Sequence, residues 1–234
     1  YKRQIQEGSM QKRLTARAKL DYQAKTWLKV GANFNYSKYD YSQTYEGTIG
    51  TGTIWSMIKT QAPIYPVYFR DANKNIMVDQ WGEKMYDFAK NYDLNRGGGV
   101  GGNGIFTNKY RTDETTGNSF IASGYADINL TKDLTFTFNA NAYDYDRRYT
   151  YAKSPFVDYY TDSSDNGSLE KRSLRTFTYN TQQLLNYNKQ FGKHDVSALL
   201  GHEYYDYKYE YLKASGYNFG IDGTRELATV LNLD

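Results

Sequence analysis

From Arg13 to Tyr22 every second residue is apolar. Leu14, Ala16, Ala18, Leu20 and Tyr22 form one series, and Arg13, Thr15, Arg17, Lys19 and Asp21 form the other. Strict period two means an extended strand with two unlike faces. A polar break, Gln23 to Thr26, leads into a second alternating stretch from Trp27 to about Tyr39. There Leu28, Val30, Ala32, Phe34 and Tyr36 oppose Lys29, Gly31, Asn33, Asn35 and Ser37. Two such stretches across a short break read as a hairpin.

The unit recurs. Ser119–Leu130 and Leu134–Tyr145 flank the turn Thr131–Asp133, and Leu134, Phe136, Phe138, Ala140 and Ala142 alternate with Thr135, Thr137, Asn139 and Asn141. A third hairpin runs from Arg175 to Tyr187, turns over Asn188–Lys193 and returns from His194. The connections alternate in length. Tight turns lie at 23–26, 131–133 and 188–193, and long segments at about 40–117, about 147–173 and from about 212. Segments this long are uncommon inside compact soluble domains. Short turns at one end and long loops at the other are the pattern of an outer-membrane β-barrel, with the turns periplasmic and the loops extracellular.

Composition agrees. Only 39% of residues are hydrophobic and Tyr supplies 26 of them, yet 17% are aromatic, which argues against disorder. A barrel strand presents only alternate residues to lipid, so low mean hydropathy and membrane insertion are compatible. The expected architecture is all-β: a fragment of a large antiparallel transmembrane barrel, about six strands as three hairpins. Tyrosines at the strand ends, Tyr36, Tyr39, Tyr41, Tyr143, Tyr145, Tyr204 and Tyr205 among them, are expected to form an aromatic girdle. On β-parity Arg13, Arg17, Lys19, Asn33, Asn35, Asn139 and Asn141 face the lumen. The odd-numbered tyrosines from Tyr205 to Tyr211 change face relative to Val196 and Leu200; either they point into the lumen or a bulge intervenes.

With 29 basic and 26 acidic residues, the net charge of +3 does not argue for nucleic acid. The absence of Cys excludes disulfides and thiolate metal sites. Gly97–Gly104 lacks the Lys-Ser or Lys-Thr of a phosphate loop and reads as a surface loop. Asp162, Ser164 and Asn166 have the spacing of the first calcium-loop ligands, but Ser173 stands where a bidentate Glu is required, so a loop tip is the simpler reading. His194 and His202 are too far apart on one strand to share a metal, and no catalytic constellation emerges. No cofactor is expected. Thr51–Gln61 has the spacing of a short helix. Trp55, Tyr65, Tyr68 and Trp81 are the first choices for contact with a ligand or partner, against packing of the loop on itself.

The order of short motifs resembles the SusC/RagA family of TonB-dependent transporters. These are Leu20-Asp21-Tyr22, Trp27-Leu28-Lys29-Val30-Gly31, Asn35-Tyr36-Ser37, Gln61-Ala62-Pro63-Ile64-Tyr65-Pro66-Val67-Tyr68, Leu200-Gly201-His202-Glu203 and Ala214-Ser215-Gly216-Tyr217-Asn218-Phe219. The family's Asp-Gly turn is replaced by Asp71-Ala72-Asn73-Lys74-Asn75. The resemblance implies a barrel of roughly 22 strands with a plugged lumen. The plug domain and TonB box are absent from these residues and are expected elsewhere in the native protein. It also implies TonB-driven import of glycans or peptides across the bacterial outer membrane, delivered by a SusD-like surface lipoprotein, and no enzymatic activity. A passive porin and a surface glycan-binding β-protein are the alternatives.

Overall fold

The computed structural model describes residues 8–43, 59, 65–80, 82–88, 103–157, 164–219 and 225–233. Seven strands lie in one sheet in chain order, each antiparallel to the next. They are β1 (Met10–Lys25), β2 (Leu28–Ser42), β3 (Arg111–Asn129), β4 (Leu134–Lys153), β5 (Ser168–Phe191), β6 (His194–Phe219) and β7 (Val230–Leu233). A helix, α1 (Gly104–Tyr110), leads directly into β3. The sheet is all-β, antiparallel and open, which agrees with the expected fold class.

The three hairpins are where the alternation places them, but their ends differ. The β1–β2 ladder continues through the expected polar break to Lys25↔Leu28, with a register shift between Gln23 and Lys25, so the turn is Thr26-Trp27. The β5–β6 ladder likewise closes at Phe191↔His194, around Gly192 with φ 62°. A two-residue hairpin turn needs positive φ there, which Gly supplies without strain. At the other end β3 starts at Arg111, β4 runs to Lys153, β5 starts at Ser168 and β6 reaches Phe219. Those strand ends mix apolar and polar residues without a regular period, so no alternation marks them, while the backbone ladder pairs regardless of side chain. β7 is a seventh strand beyond the expected six; four residues are too few to show a period.

The register sorts side chains into rows. On one face lie Leu28–Ile128–Phe136–Leu185–Leu200 and Leu20–Ala32–Gly124–Ala140–Thr181–Tyr204. On the other lie Lys19–Asn33–Ser123–Asn141–Asn180–Tyr205 and Asp21–Gly31–Tyr125–Asn139–Gln182–Glu203. The apolar face has no second layer. Leu20 is 65% exposed and Leu200 71%. Among the described residues, buried clusters occur only at the long-loop end, where Tyr86, Phe88, Phe106 and Val157 form one and Ala152, Leu169, Phe219 and Val230 the other. No described helix is long and apolar enough to cross a membrane, which says nothing about strands.

The tyrosines require a correction. The β5–β6 register is continuous from Phe191↔His194 to Ser168↔Tyr217, with no bulge. Tyr205, Tyr207, Tyr209 and Tyr211 therefore share the polar face with Asn180, Thr178, Thr176 and Leu174. Tyr39, Tyr41, Tyr143 and Tyr145 lie on that face too. Tyr36, Phe120, Phe177 and Tyr179 mark the upper edge of the apolar face instead. Parity, not nearness to the strand end, decides which way a ring points.

Candidate functional site: a polar sheet face beneath a folded loop

Four of the residues assigned to the lumen by parity come together. Lys19, Asn33, Asn139 and Asn141, with Asp21 and Gln182, line a shallow depression of about 240 Å³ on the polar face. Arg13, Arg17 and Asn35 lie on the same face, one to three rows further toward the long loops. Within the depression Lys19 Nζ lies 3.0 Å from Asp21, whose carboxylate also accepts from the Tyr125 hydroxyl at 2.7 Å. Arg13 Nε donates to Ser37 Oγ at 2.9 Å, and that serine is buried.

Two glycines shape the face. Gly31 pairs with Tyr125, and a Cβ at Gly31 would lie 2.1 Å from the Tyr125 ring. Gly117 pairs with Tyr39, and a Cβ there would lie 2.5 Å from that ring. Each tyrosine lies flat across its glycine and reaches a further strand, Tyr125 to Asp21 on β1 and Tyr39 to the Tyr145 hydroxyl on β4 at 2.7 Å. The ring covers a backbone that has no side chain of its own. The alternation hid these pairs, because Gly31 and Gly117 carry no side chain to count; the signal would have been an aromatic directly opposite each glycine once hairpins were aligned.

Beyond the long-loop end of this face, residues 65–80 and 82–88 fold on themselves. Phe69 N–H donates to the Met85 carbonyl at 2.9 Å, Met85 N–H to Met77 at 3.0 Å, and Met77 N–H to Phe69 at 3.0 Å, closing a triangle of backbone bonds. The three apices are eight residues apart, as are Asp71, Asp79 and Asp87. Two of the corners are equivalent turns. Asp71 accepts from the Asn75 amide at 2.8 Å and Asp79 from the Glu83 amide at 2.9 Å. Lys74 (φ 69°) and Gly82 (φ 82°) take the same left-handed position. The residues that replace the expected Asp-Gly turn thus build the same corner, with Lys74 where its sibling has Gly. The eightfold period was present in the sequence but was obscured by variation at the other positions.

Asn103 locks this subdomain to the sheet. Buried at 1% exposure, it caps α1 by accepting from Phe106 N–H at 3.1 Å, and its amide donates to the carbonyls of Val67 at 2.8 Å and Asp87 at 3.1 Å. Phe106 and Tyr110 of α1 pack on Tyr86 at 5.0 and 6.2 Å between ring centres. Burial raises the Tyr86 phenol above its usual range, while the Tyr110 hydroxyl beside Lys109 holds that ammonium above its own. The Asn75 backbone amide and side chain hold the Asp71 carboxyl below the ordinary carboxylate range.

Tyr68 is half-buried inside this subdomain, against Tyr86 at 5.1 Å with the Lys84 ammonium over its ring at 5.1 Å. Tyr65 is also half-buried. Trp55, Trp81, Asp162, the run 96–102 and the expected helix 51–61 apart from residue 59 lie outside the described residues. Of the calcium candidates, Ser164 and Asn166 are described. Asn166 (φ 49°) donates its side-chain amide to Asn218 at 2.9 Å and its carbonyl accepts from Phe219 N–H, which makes it part of a turn docked on β6. His202 bonds Gln183 at 2.6 Å, across the β5–β6 pair.

A seven-stranded antiparallel meander with one apolar face, one polar face and open edges is a stretch of barrel wall. Solved structures agree with that class. The chain has the fold of a section of the chains in "Structure of the RagAB peptide transporter" (TM-score 0.68, 22% identity, covering 95% of this chain and 23% of that one). It also matches the RagAB peptide importer in its "closed-closed" state (TM-score 0.68, 20% identity, 97% and 24% covered) and in its "open-open" state (0.67, 18%, 97% and 24%). The chain therefore spans about a quarter of the length of these proteins. No protein-family model matches it. No curated protein matches it.

Proposed function

We propose that this chain is part of the wall of a bacterial outer-membrane transporter that imports peptides or glycans, driven through TonB and served by a SusD-like surface lipoprotein. The observation that carries the reading is the apolar face and its height. On β5 the outward series runs from Tyr187 to Phe177, apolar or aromatic at both ends with Gln183 and Thr181 between, ten residues along a strand, or about 33 Å. Tilted by about 40°, that becomes about 25 Å, the thickness of the apolar band of such barrels. At its top the same face turns charged: Asp144 and Lys208 flank Phe177 in its own row, and Arg175 of the next row donates two hydrogen bonds of 3.2 and 3.1 Å to Asp144.

Lipid supplies the second layer that the apolar face lacks, and closure with further strands removes the bare edges, which hydrocarbon does not tolerate. The polar face then lines a watery passage with Lys19, Asn33, Asn139 and Asn141, while the loop subdomain stands on the extracellular rim. Tyr65 and Tyr68 belong to that subdomain and are our candidates for contact with cargo or the lipoprotein; for Trp55 and Trp81 that role rests on the sequence alone. The fold shared with two states of a peptide importer supports this reading over that of a surface glycan-binding β-protein. Uptake of labelled peptides and oligosaccharides by source cells tests it, with and without the native gene and with and without an uncoupler. Gene- and energy-dependent uptake is expected. Uptake that survives the uncoupler indicates a passive pore, and gene-independent uptake of both cargoes overturns the reading.

A further inference from the structure

The polar face carries an uneven charge. Four successive rows begin at Arg13, Thr15, Arg17 and Lys19 on β1 and end at Tyr211, Tyr209, Tyr207 and Tyr205 on β6. Among the described residues these rows hold four cations, Arg13, Arg17, Lys19 and Arg147, and no Asp or Glu. Lys19 is bound by Asp21 from the row below. Arg13, Arg17 and Arg147 are exposed and form no ion pair among the described residues. The tyrosines between them add hydroxyls. The ring planes of Tyr143 and Tyr145 lie 12° apart and those of Tyr207 and Tyr209 11° apart, so the rings stand in parallel along the strands. The surface is rich in donors, and the carboxylates of the row below it, Asp21 and Glu203, are bound to Lys19 and Asn180.

The guanidinium spacing follows from the sheet. Arg13 and Arg17 are four residues apart on one strand, about 13 Å at a rise of about 3.3 Å per residue. Arg147 lies three strands from Arg13 through Tyr39 and Gly117, about 14 Å at about 4.8 Å per strand. An extended peptide lying along β1 has the same rise as β1 itself. Acidic side chains at its positions i and i+4 point to one side at the same interval of about 13 Å, whereas a polysaccharide's repeat is set by its ring geometry.

We infer that the band from Arg13 to Lys19 is a selectivity surface for extended acidic peptides, with Arg13, Arg17 and Arg147 pairing with the peptide carboxylates and the tyrosine hydroxyls bonding its backbone. The inference rests on the import reading and narrows its cargo. Planar guanidinium donors pair with carboxylates two bonds at a time, which lysine does less well.

The test uses the full-length protein purified from its own outer membrane. The probes are a labelled Thr-rich peptide with Glu at two positions four apart, its Gln counterpart, and oligogalacturonate as a sugar carboxylate. The Glu peptide is expected to bind on the order of tenfold more tightly than the Gln peptide, the effect of two partly solvated ion pairs, and to lose that advantage in high salt. The double substitution Arg13→Gln and Arg17→Gln is expected to remove most of the Glu-over-Gln preference and leave only the part that Arg147 supplies, while Arg13→Lys with Arg17→Lys keeps more of it. Equal binding of the Glu and Gln peptides by the native protein overturns the inference, a result that needs no variant to fold. Tighter binding of oligogalacturonate than of the Glu peptide also overturns it. Uptake by source cells separates the two claims: equal uptake of both peptides sinks the selectivity surface alone, and the absence of gene-dependent uptake of either peptide and of oligosaccharides sinks the import reading with it.

Discussion

At the scale of single residues, small groups decide the polar face. A side chain at Gly31 has to displace the Tyr125 ring, because its Cβ would lie 2.1 Å from that ring. The ring's hydroxyl bond to Asp21 then breaks, and Asp21 loses one of its two partners. Gly31→Val is expected to cost about 1–3 kcal/mol, the range for overpacking. Tyr125→Ala in the same background is expected to relieve most of the penalty, and a denaturation series on the four variants of the cycle measures it. Asn103 has a comparable role in the loop. Asn103→Ala removes the α1 cap and one hydrogen bond to each of the carbonyls of Val67 and Asp87, the first of which keeps the Asp87 N–H. A cost of about 1–3 kcal/mol follows from one lost cap and two lost hydrogen bonds. It should appear as faster proteolytic nicking between residues 65 and 103, with the sheet intact.

Asp71 gives a pH dependence of known sign. Its carboxylate accepts from Asn75, so its pKa is lowered in the folded turn. A lowered folded pKa contributes stability that is complete above the unfolded value of 3.8 and lost as pH falls through the folded one. Hydrogen exchange at the Asn75 amide should therefore show weakening protection below about pH 4, relative to neighbouring amides. Asp71→Asn should abolish that dependence.

At the scale of elements, adjacent residues on β4 separate the two faces. Ala140 sits in the middle row of the apolar band and Asn141 on the polar face one residue later. Ala140→Arg is expected to destabilise the folded protein in lipid by about 2–4 kcal/mol, as for arginine at the bilayer midplane, and Asn141→Arg to be tolerated. Urea titration of the protein in lipid vesicles compares them. The same contrast explains which elements were legible. The β1–β2 and β3–β4 hairpins show because their apolar and polar series never cross over between Leu14 and Tyr36 or between Leu134 and Ala142. The upper halves of β5 and β6 do not, because Arg175, Lys208 and Glu210 fall on the series that is apolar lower down. Strands there are held by ladder hydrogen bonds that any side chain permits. The triangle of Phe69, Met77 and Met85 escaped notice because its repeat length matches neither a helix nor a strand.

At the scale of the whole molecule, the described chain buries hydrophobic clusters only at its long-loop end, around Phe106 and around Leu169. A sheet of this size with one apolar face and no layer over it is stable only where the surroundings cover that face. That is why a low mean hydropathy of −0.81 and a membrane location are compatible here. The polar face was legible residue by residue from parity: Lys19, Asn33, Asn139 and Asn141 do converge. The arginine and tyrosine rows beside them were not, since seeing them requires the register between strands as well as the period within each.

The central claim is that alternate residues of these strands face lipid and water. These residues contain no cysteine, so single nitroxide labels can be placed along them cleanly. The direct measurement is spin-label accessibility at each position from Phe138 to Tyr143, in the full-length protein reconstituted into lipid vesicles. The account predicts period two: oxygen relaxation high at Phe138, Ala140 and Ala142, and a water-soluble nickel chelate favoured at Asn139, Asn141 and Tyr143. Water-like accessibility at all six positions, or no alternation, would contradict it.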